Sequence, residues 1–183
     1  YSAKDEEGIR NIYATHLTDS LWSVLTLINE QMTSSSDEIY PMLSPDGQSL
    51  YFASKGLYGM GGYDLYVSNW NSETNDWDMP VNMGFPYSSP YDDFLFVNTE
   101  DGKYSIFASN RECGRDSVTI YVLEYDSMPV RKAVTDVGEL RTLAALNPAK
   151  DPSRIDNDAA VPDDGQHDEG TKRYMEKMRE VRA

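Results

Sequence analysis

Short runs of apolar residues, alternating in period two and separated by clusters of Pro, Asp, Gly and Ser, fill the chain to about residue 134. In residues 49–54, Leu50 and Phe52 fall on one side of an extended chain and Tyr51 and Ala53 on the other. In residues 63–70, Leu65 and Val67 share a face. Alternation of this kind predicts β-strands. A strand at 37–44 precedes them, joined by Ser44-Pro45-Asp46-Gly47, a sequence suited to a tight hairpin turn. The glycine-rich loop 56–62 leads into the strand 63–70. A polar turn, 71–76, then introduces a short outer strand, 77–83.

This four-strand plan recurs at an offset of 55 residues. Trp22 returns as Trp77, Asp37-Glu38 as Asp92-Asp93, Asp46-Gly47 as Asp101-Gly102, Phe52-Ala53-Ser54 as Phe107-Ala108-Ser109, and Tyr66-Val67 as Tyr121-Val122. The second copy runs through strands 91–98, 103–109 and 118–125 to an outer strand at Met128-Pro129-Val130. An incomplete copy lies upstream: Tyr1-Ser2-Ala3-Lys4 aligns with Phe52-Ala53-Ser54-Lys55, residues 9–17 with the third strand and 22–28 with the fourth. Short strands in a period of about 40–55 residues are the signature of β-propeller blades. The expected fold is therefore all-β, with four-stranded antiparallel blades: a partial blade at 1–30, and blades at 37–84 and 91–134. Further blades are expected before Tyr1, because stacked repeats need neighbours on both faces. Trp22 and Trp77 share one repeat position, which predicts a packing role for both.

Beyond residue 134 the period changes. At 135–149, Val137, Leu140, Leu143 and Ala144 fall on one face of a short helix that Asn147-Pro148 ends. Residues 150–170 carry Asp156, Asp158, Asp163-Asp164 and Asp168-Glu169 with few apolar residues, and read as an acidic linker. Residues 171–183 read as a second helix, with Thr171 as its N-cap and Met175 and Met178 on one stripe.

Charge narrows the partners. The 183 residues carry a net charge of −15, a field that repels nucleic acid and anionic membranes. No apolar run approaches the roughly 18 residues needed to span a bilayer. Cys113 is the single cysteine, so no intramolecular disulfide forms. Its neighbours Arg111 and Arg115 would favour a thiolate, yet no mechanistic partner accompanies it.

Catalytic constellations are not legible. The loop 56–62 lacks the lysine and following helix of a phosphate loop, and its glycines read as hairpin residues needing positive φ. Asp37-Glu38 and Asp92-Asp93 are ligand types for a hard cation, but their recurrence at one repeat position assigns them to the start of each inner strand. His16 and His167 are the only histidines, and no serine sits in a Gly-x-Ser-x-Gly elbow. No catalytic residue, cofactor or metal is assigned.

The stretch Asp37-Glu38-Ile39-Tyr40-Pro41-Met42-Leu43-Ser44-Pro45-Asp46-Gly47-Gln48-Ser49-Leu50-Tyr51-Phe52-Ala53-Ser54 resembles the TolB-type, WD-like β-propeller repeat. Gly61-Gly62-Tyr63-Asp64-Leu65-Tyr66-Val67 and Ser89-Pro90-Tyr91-Asp92-Asp93-Phe94 resemble its variant in bacterial envelope proteins, which often join such a propeller to helical repeats or a peptidoglycan-binding domain. The resemblance covers residues 1–126. The last repeat departs from it, with Thr99-Glu100 for Ser-Pro and Thr119 for Asp64. It implies a non-catalytic scaffold, periplasmic or outer-membrane-associated, that binds an envelope protein or a peptidoglycan-linked partner. The alternative is a piece of a propeller glycosidase or peptidase whose catalytic residues lie outside this chain. In a third reading the acidic linker and the Met-bearing helix recruit the partner. Exposed loops on rigid scaffolds carry function, so the candidate contact residues are Gly56, Tyr58, Gly61, Gly62, Asp64, Phe85, Tyr87, Tyr91, Asp92 and Asp93.

Overall fold

The computed structural model describes residues 1–111, 113, 116–125 and 136–146, all within the first of two compact units, Tyr1–Leu146. The expected outer strand at 128–130, the linker 150–170 and the helix 171–183 lie outside the described residues.

Antiparallel sheets make up most of the unit. The first joins β1 (Ser2–Lys4), β2 (Arg10–Ala14) and β5 (Thr26–Leu27), with β3 (Leu17–Thr18) and β4 (Leu21–Trp22) as a separate small hairpin. The second holds β6 (Glu38–Leu43), β7 (Ser49–Ser54) and β8 (Asp64–Asn71). Two short strands, β9 (Asp76–Trp77) and β10 (Val81–Asn82), share the outer edge of β8. The expected outer strand is thus broken at 78–80, where Pro80 has no N–H to give to a ladder. The third sheet holds β11 (Asp93–Asn98), β12 (Tyr104–Ser109) and β13 (Thr119–Glu124).

The repeat survives in the finest detail of strand pairing. Glu38 faces Ser54 and Ile39 faces Ala53, just as Asp93 faces Ser109 and Phe94 faces Ala108. Each first strand then bulges, between Ile39 and Met42 and between Phe94 and Val97. Tyr40 (φ 53°) and Leu95 (φ 63°) occupy the left-handed region inside those bulges, a conformation costing about 1–2 kcal/mol without glycine. The bulge adds twist to the strand. The turns match too: Gly47 (φ 71°) and Gly102 (φ 68°) supply the one left-handed residue each turn needs. Ser44 Oγ donates to Asp46 Oδ1 and Thr99 Oγ1 to Asp101 Oδ1. The Thr99-Glu100 departure is therefore silent, because either hydroxyl anchors the aspartate.

Two apolar clusters hold the sheets face to face. Ile12, Met32, Leu50, Phe52 and Tyr66 join the first sheet to the second. Tyr51, Ala53, Leu65, Met83, Tyr87, Phe96 and Phe107 join the second to the third. A shift of 55 carries Met32 to Tyr87, Phe52 to Phe107 and Tyr66 to Tyr121, which packs on the second cluster. The second sheet is covered on both faces, which explains its nearly continuous apolar composition.

After the third sheet, α1 (Val137–Ala144) forms within the expected span. Asp136 caps it, Oδ1 accepting from the Glu139 amide at 2.8 Å. Only the end of its apolar stripe is buried, at Ala144, while Val137 faces solvent.

The expected packing role fails for Trp22, which is 68% exposed. Trp77 is half-buried and meets Trp70 edge-to-face at 5.4 Å. In the first repeat Leu17 stands opposite Trp22, where Trp70 stands opposite Trp77, and it offers no ring. Truncating Phe107, which has no exposed surface, to Ala should lower the unfolding free energy by about 3–5 kcal/mol. Trp22→Ala should stay within about 0.5 kcal/mol of wild type. Urea unfolding curves check both, and equal losses would refute this account of the first repeat.

Candidate functional site

The glycine-rich loop between β7 and β8 is folded by side chains at its two ends. Ser54 Oγ accepts from the Gly56 and Leu57 amides at 3.2 and 3.1 Å. Asp64 Oδ2 accepts from the Met60 and Gly61 amides at 2.9 and 3.0 Å. A side chain at Gly61 would run into the Ser89 and Tyr91 carbonyls, and one at Gly62 into the Asp92 carboxylate. These glycines permit close approach. The expected positive φ is found elsewhere, at Gly8, Gly47, Gly84 and Gly102.

That approach locks the loop to the segment leading into β11. Asp92 Oδ1 accepts from the Tyr63 amide at 3.0 Å, and Asp93 N donates to the Tyr63 carbonyl at 2.7 Å. Asn110 closes the far side: its Oδ1 accepts from the Asp92 amide and its Nδ2 donates to Asp92 Oδ2, both at 2.8 Å.

Beneath the junction lies a buried ion pair. Arg111 is 1% exposed and Asp93 has no exposed surface. Arg111 Nη2 donates to Asp93 Oδ1 at 2.5 Å and to the Tyr87 carbonyl at 3.4 Å. Nη1 donates to the Pro86 and Ala144 carbonyls at 2.9 and 3.2 Å, and Nε to Ser109 Oγ at 2.9 Å. Every N–H of the guanidinium therefore has an acceptor. Its Cζ lies over the rings of Phe107 and Tyr121, 5.3 and 5.7 Å from their centroids. Burial pushes the Asp93 carboxyl up, and the Arg111 charge with the Ser109 and Ser89 hydroxyls opposes that push.

The equivalent place in the second sheet has different chemistry. Glu38 replaces Asp93, Ser34 and Ser54 replace Ser89 and Ser109, and Gly56 replaces Arg111. Glu38 Oε1 accepts from Ser34 at 2.6 Å and Ser54 at 2.9 Å, while Oε2 makes no hydrogen bond. Burial raises its carboxyl, with no arginine at the Gly56 position to offset it. Burial raises Asp64 to about 6, against the opposing Gly61 and Met60 amides.

The expected contact residues divide into support and surface. Phe85 and Tyr87 are core residues, a correction: Tyr87 meets Phe96 and Phe107 edge-to-face. Asp64 and Asp93 are buried and Asp92 half-buried, all bonded within the junction. Tyr58 is fully exposed and Tyr91 45% exposed, and both stand on this junction with Met60 and Gly56 in solvent. Asp37-Glu38 and Asp92-Asp93 serve as strand-start anchors, and among the described residues no three His, Cys, Asp or Glu side chains form a metal-type group. Arg111, which the sequence offered only as a charge beside Cys113, serves instead as the partner of Asp93. The signal was its place at 55 residues from Gly56, where a cation stands in one copy and a glycine in the other.

A cleft of about 760 Å³ also opens between the first two sheets, lined by Tyr13, His16, Leu43, Trp70 and Trp77 among others. In the next interface Tyr51 and Phe96 pack in the matching space, 4.6 Å apart, whereas Pro41 holds Phe96's position here.

No protein-family model matches the chain, and no curated protein matches it. No described helix is long and apolar enough to cross a membrane.

Arg111→Ala strands a buried carboxylate and should cost about 3–5 kcal/mol. Arg111→Met combined with Asp93→Leu should recover most of that loss, and urea unfolding of both variants measures the difference. A second expectation concerns pH. Asp64 binds its proton up to about pH 6 when folded, against 3.8 for a free aspartate. The folded state therefore holds more protons in that window, and stability falls as pH rises through it. Asp64→Asn should remove this part of the fall, so the change in unfolding free energy from pH 4 to pH 7 should be more positive in the variant than in wild type; identical pH profiles would refute the assignment.

Proposed function

We propose that the chain is a non-catalytic binding scaffold built of β-propeller blades, which presents Tyr58, Met60 and Tyr91 to a protein partner in a bacterial envelope. Three observations support the blades. Strand order, bulge and turn recur at the 55-residue offset. The recurring sheets pack face to face through equivalent residues. Their first strands, β6 and β11, lie side by side. The envelope location rests on the resemblance to the TolB-type repeat.

One observation carries the binding role: the exposed side chains at the junction stand on a base cross-linked by buried and part-buried hydrogen bonds. Three carboxylates of the junction are engaged in that base, Asp93 with Arg111, Asp92 with Asn110, and Asp64 through Oδ2 with the loop amides. Rigid exposed tyrosines give large contact area at low entropic cost, and aromatic anchors dominate interface energetics.

The test is capture from a bacterial envelope extract by the immobilised chain. Wild type should retain a defined envelope protein, and Tyr58→Ala with Tyr91→Ala should weaken its retention about 30-fold, the loss of one strong anchor, with the urea midpoint unchanged. Equal retention by the double variant would overturn the assigned surface, and capture of soluble cytosolic proteins alone would overturn the location.

A further inference from the structure

Glu38 opens the first strand of the second sheet with no exposed surface. Its repeat counterpart, Asp93, meets Arg111. At the position that matches Arg111 stands Gly56, where a side chain would run into Ser34 and Ser36, so the repeat supplies no cation there. The other ionisable groups around Glu38 are Asp37 beside it, Arg10 and Lys4 of the first sheet, which act on Asp37, Lys55 just after β7, and Asp64 beyond Ser54 on β8. On the neighbouring β11, Asp93 is held by Arg111. Among the described residues no cation bonds either Glu38 oxygen, and Oε2 makes no hydrogen bond at all.

The hydrogens around Glu38 are too few for a carboxylate. Ser34 Oγ lies 2.6 Å from Glu38 Oε1 and 3.3 Å from the Ser36 carbonyl, and it accepts from the Ser36 amide at 3.1 Å. A hydroxyl has one hydrogen to give, and here two acceptors face it. Given to Glu38, that hydrogen is turned from the Ser36 carbonyl, and Oε2 is still a charged oxygen buried without a donor, a costly arrangement. A proton on Oε1 relieves both. The acid then donates to Ser34, Ser34 donates to the Ser36 carbonyl, and Oε2 is a neutral carbonyl oxygen. Burial raises the Glu38 carboxyl, which favours the same state.

We propose that Glu38 is a neutral acid in the folded chain, and that its proton latches the 33–36 turn onto the start of β6 until rising pH removes it. The turn belongs to the joint between the first two sheets. It follows the single 3-10 turn Glu30–Met32, whose Met32 is fully covered in the first cluster. Ser2 of β1 donates to the Glu38 carbonyl at 2.6 Å. Loss of the proton to solvent leaves a buried charge without compensation, and opening the turn lets water reach it. The carboxyl of the folded chain lies above its ordinary 4.5. The latch is therefore fully closed below pH 4.5 and weakens as pH rises to the Glu38 midpoint. Neither Tyr58 nor Tyr91 takes part, so loss of that binding surface leaves the latch intact.

Carbon NMR of the full wild-type chain follows the Glu38 side-chain carboxyl against pH and should place its midpoint above 4.5. Amide exchange, corrected for its intrinsic pH dependence, reports on the turn. Protection of the Ser36 amide should fall about tenfold per pH unit above 4.5 and level off at the Glu38 midpoint. Glu38→Gln keeps a donor for Ser34 that does not titrate, so its Ser36 protection should stay level, whereas Asp64→Asn should keep the wild-type fall. A Glu38 midpoint at or below 4.5 overturns the proposal. So does wild-type Ser36 protection that ignores pH, a folded Glu38→Gln chain that keeps the fall, or a folded Asp64→Asn chain that loses it. Should a variant fail to fold, the two wild-type measurements decide.

Discussion

The buried pair of Arg111 and Asp93 is the constraint on which the described architecture converges. One guanidinium reaches the 86–87 segment, the start of β11, the end of β12 and the last turn of α1. Desolvating two charges costs several kcal/mol per ion, and their attraction offsets this only when the remaining polar groups are satisfied. Here they are: the guanidinium has no idle N–H, and Asp93 Oδ2 accepts from Ser89 at 2.7 Å. Removing either partner would leave a buried charge without compensation. The pair thus specifies how these segments meet more than it adds to net stability.

The same backbone serves two electrostatic solutions. In the second sheet a glutamate reaches two serines, its second oxygen unpaired. In the third an aspartate, one methylene shorter, leaves room for a guanidinium. The bulges, turns and strand registers are unchanged between them. Backbone geometry in this repeat is fixed by hairpin turns and apolar stripes, so the polar centre of each sheet is free to diverge. The third sheet's divergence ties α1 to it through the Ala144 carbonyl, a contact with no counterpart in the second.

Much of the fold was legible because local forces set it. Asp46-Gly47 and Asp101-Gly102 define turns wherever they stand, and period-two alternation defines strands. Helix α1 followed from its apolar spacing and from the Asn147-Pro148 stop. The candidate site was legible in part. Its loops could be named from the sequence, but Phe85 and Tyr87 are core residues, and Arg111 read only as a charged neighbour of Cys113. An aromatic residue in a Gly- and Pro-containing loop reads the same whether it fills a core or faces a partner. Only the sheet packed above it decides, and that sheet comes from residues 93–124.

By itself the sequence determined the antiparallel strands and their 55-residue period, because strand propensity, turn chemistry and alternation act over a few neighbouring residues. Tertiary structure alone decided which faces are covered. Trp22 is bare and Phe107 enclosed, although both belong to recurring positions, because burial depends on the neighbouring sheet and not on the residue's own strand. It also decided which carboxylate meets a cation. Asp93 and Glu38 are equivalent in the repeat, and only the fold brings a guanidinium within bonding distance of one of them.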